Sequence, residues 1–122
     1  MKGRGTSSLM NECTFSTRVV RQTITVNEAM TAQINFRVST DISSGSSRSI
    51  SRAYLNMNGS FIAGSNIYIY NRQITQGENT ASACLILDLA VGDTINIKVK
   101  RHAGNDTLTC IGASCAMTIT KL

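Results

Sequence analysis

Proline and tryptophan are absent from the 122 residues, and histidine occurs once, as His102. Each shortage excludes something. Without proline the chain lacks one common device for blunting the free edges of β-sheets, a lack better tolerated where those edges are covered in an oligomer. Aromatic residues make up only 5% of the sequence, so a core has to be filled by Ile, Leu, Val, Met and Ala. One histidine cannot supply the imidazole clusters of most catalytic metal sites. Nor does any carboxylate stand near enough in sequence to orient His102, which follows Arg101 in a turn-like stretch. Gly-x-Ser-x-Gly and glycine-rich phosphate loops are missing too. No apolar run approaches the roughly eighteen residues of a membrane-spanning helix, and the first residues hold no apolar segment of the signal-peptide kind. These absences lead us to expect no catalytic residues, no cofactor, no bound metal and no membrane span.

What is present describes one small domain. Hydrophobic residues reach 42% and charged residues 16%, a globular balance. The formal charge is +5, with twelve basic against seven acidic residues. Lys2 and Arg4 sit in a leading Met-Lys-Gly-Arg-Gly-Thr-Ser-Ser stretch, while Arg18, Arg21, Arg37, Arg48, Arg52 and Arg72 are scattered singly. The one tight basic group is Lys98, Lys100 and Arg101. Nucleic-acid surfaces usually gather basic residues and interleave aromatics, so no nucleic-acid partner is expected. Residues 1–11 read as a flexible leader and residues 12–122 as the folded domain. Four cysteines occur, at 13, 84, 110 and 115. Cys110 and Cys115 enclose four residues and are candidates for a short disulfide loop. The alternative is that the cysteines are small buried hydrophobes.

The hydropathy pattern has period two throughout, which signals strands with one wet face. In residues 32–38 Ala32, Ile34, Phe36 and Val38 alternate with Gln33, Asn35 and Arg37. Residues 85–89 keep Leu on one face, and Ile95, Ile97 and Val99 alternate with Asn96, Lys98 and Lys100. Less regular strands fit residues 20–26, 53–57, 67–70, 107–111 and 116–122. Reversals are expected at Asn58-Gly59, the strongest hairpin signal in the chain, and at residues 76–79, 91–93 and 103–106. Residues 41–49, rich in Ser and Gly, read as a mobile loop, and residues 27–31 have room for one helical turn. Asn58-Gly59-Ser60 and Asn105-Asp106-Thr107 match the glycosylation triplet but are read as turn chemistry. Asp88 and Asp93 form the closest acidic pair flanking a hairpin, Asp93 as a turn residue. About eight short strands with turns between them make an all-β antiparallel sandwich or barrel.

Residues 52–122 carry a more specific likeness. An apolar strand ends in Asn58-Gly59, and Ile67-Tyr68-Ile69-Tyr70 and a polar turn follow. A leucine strand, the Gly92-Asp93 turn and an alternating strand come next, and Met117-Thr118-Ile119-Thr120-Lys121-Leu122 closes the chain. This order resembles the globular domain of the C1q and tumour-necrosis-factor-like jelly-roll superfamily. The poorly matching first thirty residues and the few aromatics point to its divergent relatives on virus and bacteriophage particles.

The resemblance implies a jelly roll of about eight strands that assembles as a compact homotrimer. Tyr68 and Tyr70 are then candidates for the flank buried about the threefold axis, since tyrosine combines an apolar ring with a wet hydroxyl. It further implies a non-enzymatic structural protein at the virion surface, attached to a capsid or tail protein as a decoration or short fibre head. The alternative is a recognition head, fibre-borne or secreted and extracellular, that binds a host-surface protein or glycan. A jelly-roll enzyme of cupin type would need a cluster of histidine and carboxylate ligands that the sequence does not hold.

Overall fold

The computed structural model describes residues 4–8, 14–15, 17–19, 23–45, 48–111 and 114–122. They form two antiparallel sheets packed face to face. The strands in chain order are β1 (Arg4–Ser8), β2 (Thr14–Phe15), β3 (Thr17–Val19), β4 (Ile24–Thr25), β5 (Met30–Ser44), β6 (Ser49–Met57), β7 (Ser60–Phe61), β8 (Ile67–Asn71), β9 (Asn79–Leu89), β10 (Thr94–Ala103), β11 (Thr107–Cys110) and β12 (Ala116–Lys121). Those with four residues or more are β1, β5, β6, β8, β9, β10, β11 and β12, the eight that a jelly roll requires. Sheet A runs β1-β12-β5-β11-β2 with β9 on the other side of β5. Sheet B runs β3-β10-β6-β7, with β4 also on β10 and β8 also on β6.

The fifteen-residue β5 organises sheet A. One of its edges pairs with β9 from Met30↔Leu89 to Thr40↔Asn79. The other edge pairs first with β12, in the register Ile34↔Ile119, and then with β11, in the register Leu108↔Ile42. The alternation read from the sequence decides which side faces inward. Ala32, Ile34, Phe36 and Val38 of β5, Met117 and Ile119 of β12 and Leu108 of β11 are buried. They meet Ala53 and Leu55 of β6, Ile69 of β8, and Ile95, Ile97 and Val99 of β10 across the sandwich. Burying an Ile, Leu or Val side chain contributes roughly 1.5–3 kcal/mol, so aliphatic residues alone can hold the two layers together.

Polar residues enter this interior at the loop-bearing end, where the alternation of β5 breaks. Thr40, Ser51 and Asn71 are buried and bonded to one another across the two sheets. Ser51 Oγ donates to Asn71 Oδ1 at 2.7 Å, while Asn71 Nδ2 donates to Thr40 Oγ1 at 3.0 Å and to the Gly77 carbonyl at 2.8 Å. Buried polar groups without partners are costly, and here the three side chains satisfy each other. Asp106 is buried beside them in the β10–β11 turn, accepting from Ser49 Oγ at 3.0 Å.

Turn chemistry agrees with the sequence at the tight reversals. Asn58 and Gly59 have φ of 54° and 83°, the paired left-handed conformation of a two-residue hairpin. Gly104, at φ 93°, carries a tighter requirement, since a Cβ there would lie 2.5 Å from the Arg48 carbonyl oxygen. Three expectations are corrected. Residues 41–49 are not one loop, because β5 continues to Ser44 and β6 begins at Ser49. Residues 27–31 form a bend running into β5, not a helical turn. Within the stretch expected as a leader, Arg4–Ser8 pair with β12 in the register Thr6↔Thr118, and Lys2 lies outside the described residues. No helix among the described residues is long and apolar enough to cross a membrane.

Candidate functional site

The chemically versatile side chains lie apart. Asp88 points from the outer face of sheet A and accepts from Thr31 Oγ1 at 2.7 Å. Asp93 belongs to the β9–β10 turn, where it accepts from the Ala90 N–H at 2.8 Å and from Asn58 Nδ2 at 2.9 Å. Those bonds, the backbone one foremost, hold its carboxyl below the usual carboxylate range. Asn58 in turn accepts from the Thr94 N–H at 2.9 Å, so the residue of the glycosylation-like triplet serves as a latch between two hairpins. Among the described residues no three of His, Cys, Asp and Glu converge as metal ligands would. His102 sits near the exposed end of β10 with its ring edge-on to Tyr68, the centroids 4.9 Å apart.

That contact belongs to a larger surface on the outer face of sheet B. Register places Arg52 between Tyr68 on β8 and Lys100 on β10, and Tyr54 opposite Lys98. The Arg52 guanidinium lies 4.5 Å from the Tyr54 ring centroid and 5.4 Å from that of Phe61, an arrangement of cation–π type. Tyr54 and Phe61 meet edge to face at 5.5 Å. Arg52 Nε donates to Asn66 Oδ1 at 2.6 Å, which fixes the guanidinium over the rings. Phe61 remains 46% exposed and Tyr68 52%. All three tyrosines thus share one face with three cations, and no Asp or Glu occupies a strand position pointing outward there.

Sequence reasoning missed this surface, because basic and aromatic residues look scattered along the chain. They are gathered by register. The available signal was parity: Arg52, Tyr54, Tyr68, Tyr70, Lys98 and Lys100 all take the polar phase of their alternating strands.

The outer face of sheet A is different. Thr31, Asn35, Arg37, Ser82, Cys84, Thr118 and Thr120 are mostly small and neutral, and a shallow hollow of about 450 Å³ opens among Asn35, Arg37, Ser82, Cys84 and Thr118. Beside it Ile86 is 61% exposed. The inward residues of β9, Ala81, Ala83, Leu85 and Leu87, are only partly buried, because β9 is an edge strand of sheet A and pairs with β5 alone. The neighbouring edge of sheet B is β8, tied to β9 by Asn79 Nδ2 donating to the Tyr70 carbonyl at 2.9 Å. The β8–β9 flank is therefore apolar and incompletely covered. Tyr68 and Tyr70 border it from the outer face of β8, and Tyr70 is 45% exposed.

Cys110 and Cys115 are both buried and are not joined to each other. Cys115 Sγ accepts from the Ser39 N–H at 3.2 Å and donates to the Ile111 carbonyl at 3.3 Å. Cys84 is exposed on sheet A, with Gln33 Nε2 donating to its sulfur at 3.1 Å. Cys13 lies outside the described residues.

Two sheets in this order, with the final long strand inserted between β1 and β5, define a jelly roll of the tumour-necrosis-factor and C1q type. Solved structures share it over nearly the whole chain. Murine APRIL crystallised at pH 8.5 superposes with a TM-score of 0.61 at 13% identity, covering 98% of both chains. Murine APRIL at pH 5.0 gives 0.62 at 12% identity with the same coverage. The Eiger TNF structure from S. frugiperda gives 0.55 at 14% identity, covering 99% of this chain and 86% of that one. No family model matches the sequence, and no curated protein does.

Proposed function

We propose that the chain is a non-enzymatic binding and assembly domain that works as a homotrimer. The observation that carries this is the open β8–β9 flank, with its partly buried Leu85 and Leu87 and exposed Ile86 in a chain of tumour-necrosis-factor-like fold. Covering such an edge with the small, neutral outer face of sheet A from a second copy buries apolar surface on one side and displaces few charges on the other. Repeating that heterologous contact closes a ring. Tyr68 and Tyr70 then border the contact.

The setting we propose is the virion surface, with the trimer attached to a capsid or tail protein as a decoration or short fibre head. Its support is the depth of divergence: the fold persists across almost the full chain at 12–14% identity with the solved structures. The second reading, an extracellular recognition domain for a host-surface protein or glycan, is favoured by the aromatic and basic face of sheet B, which a purely structural coat would not need.

Light scattering coupled to size exclusion tests the assembly. A mass of about three times the 13.1 kDa chain, unchanged by reductant, is expected. A monomer at tens of micromolar overturns it.

A further inference from the structure

We infer that the outer face of sheet B is a binding site for an acidic polysaccharide, a chain of sugars bearing sulfate or carboxylate groups. The inference deepens the recognition reading above and gives that reading a location and a ligand chemistry.

Arg52 and Lys100 are directly opposed across β6 and β10, and Lys98 stands two residues along from Lys100 on the same face. Strand spacing of about 4.8 Å and a same-face repeat of roughly 6.8 Å put the three cations within about 10 Å of one another. Like charges at that spacing repel, and among the described residues of the face only the Tyr54 and Phe61 rings beside Arg52 offset them. The outward strand positions hold Thr94, Asn96, Lys98, Lys100 and His102 on β10, Ile50, Arg52, Tyr54 and Asn56 on β6, and Tyr68 and Tyr70 on β8. No carboxylate is among them. The described acids are placed elsewhere: Asp41 and Asp88 on β5 and β9 of sheet A, Glu78 just ahead of β9, Asp93 and Asp106 in turns, and Glu28 paired with Lys121 at 3.3 Å, while Glu12 lies outside the described residues. A surface with concentrated positive charge and no internal counter-ion is complementary to a multiply charged anion.

Ring geometry separates glycan from nucleic acid. Single-stranded nucleic acids are held on aromatic rings whose faces lie open for base stacking. Here the Tyr54 and Phe61 rings, and those of Tyr68 and His102, are already engaged in pairs. The Arg52 guanidinium caps Tyr54, Tyr54 and Phe61 stand edge to face at an interplanar angle of 75°, and Tyr68 and His102 do so at 63°. The Tyr54 and Phe61 rings hold Arg52 in place, on a face that also carries the phenol groups of three tyrosines and the ammonium groups of Lys98 and Lys100. That donor set suits sulfate or carboxylate oxygens and sugar hydroxyls, with Arg52 supplying the planar fork.

The test uses the purified full chain and three probes by titration calorimetry at low and moderate salt: a size-fractionated heparin oligosaccharide, its desulfated counterpart, and an oligodeoxythymidylate of matched charge. The sulfated oligosaccharide is expected to bind, its desulfated counterpart, which keeps only carboxylates, to bind more weakly in step with its lower charge, and the oligonucleotide to bind at least tenfold more weakly. Lys98→Gln with Lys100→Gln should weaken binding by about tenfold or more and reduce the salt slope by roughly two. Arg37→Gln with Lys121→Gln, which remove the same charge from the sheet A side, should leave binding within about twofold. Tyr68→Ala serves as a second platform variant, expected to weaken binding without removing charge. Circular dichroism confirms that each variant is folded.

Equal affinity in the two double variants overturns the site, because it reduces binding to net charge. Preference for the oligonucleotide overturns the ligand class, and no binding by the wild type overturns the inference altogether. Native mass is measured on the same samples to keep the two ideas separable. A monomer that binds the glycan removes the homotrimer and keeps the site, while a trimer that does not bind removes only the site.

Discussion

The two outer faces of this sandwich share one interior and have opposite character. On sheet A the outward residues are small and mostly neutral, and they run into an apolar, half-covered edge at β9. On sheet B they are aromatic and cationic, with Arg52 fixed over Tyr54 and Phe61. The difference teaches that a period-two strand separates tasks cleanly. Inward residues are constrained by packing alike in both sheets, whereas outward residues are left free to differ, small and neutral on one face and aromatic and cationic on the other. Changes to the interior should therefore damage both faces together, and changes to either exterior should leave the other intact.

The largest effect is expected from breaking what the faces share. Leu55→Ala, at a fully buried position of β6, should cost about 2–5 kcal/mol in urea unfolding and abolish assembly and ligand binding at once. Selective failure of one face would mean the sheets are less coupled than the packing indicates. Backbone comes next. Gly104→Ala forces a left-handed residue against the Arg48 carbonyl and should cost more than about 2 kcal/mol. Gly59→Ala, also left-handed but with open space around it, should cost only about 1 kcal/mol. Equal costs would show that conformation and not collision decides.

On the exterior of sheet A, Ile86→Lys should turn a trimer into a monomer by light scattering. It should change unfolding stability by no more than about 0.5 kcal/mol and leave the sheet B face unaffected. The cysteines sharpen the same contrast between outside and inside. Cys84 should react with a thiol reagent in the native protein, while Cys110 and Cys115 react only after denaturation. Two thiols missing from the denatured count would show that Cys110 and Cys115 bridge on oxidation.

The smallest effect concerns Asp93. Its carboxyl is held below the ordinary carboxylate range in the folded chain, so it contributes stability above that range. The contribution is lost as pH falls through the depressed folded-state value, where the carboxylate takes up its proton. Asp93→Asn should therefore flatten acid unfolding slightly, and identical acid limbs for the two proteins would dismiss the latch as an electrostatic device.

Much of the architecture was legible because it follows from alternation and turn chemistry. Ile34 and Phe36 face inward as their phase requires, and Asn58-Gly59 turns as a left-handed pair should. Less was legible where tertiary partners override local signals. Ser43 and Ser44 look like loop residues, yet they extend β5 because β11 runs beside them, with Ser44 opposite Thr107 and Ser43 at a register shift donating its hydroxyl to the Thr107 carbonyl. Thr40, Ser51 and Asn71 are polar residues on the inward phase of their strands, and they are buried in one another's company. Arg4–Ser8 look like a tether and instead have a strand to pair with. The basic and aromatic face was hidden for a related reason. Arg52 and Lys100 are far apart in sequence, and only the pairing register of β6 with β10 makes them neighbours.

The position of β12 has a kinetic consequence. This strand is near the end of the sequence but in the middle of sheet A, bonded to β1 on one side and β5 on the other. Its partners are separated from it by some eighty to more than one hundred residues, as in Ala32↔Lys121 and Arg4↔Thr120. Contacts of such long sequence separation slow folding, because the loop they close must be ordered before they can reward it. On the ribosome, sheet A stays open until β12 has emerged, and the leucines of β9 and the interior of β5 stay unshielded meanwhile. The step that completes the sheet is thus the last to become available, and it governs how long the growing chain is exposed to aggregation.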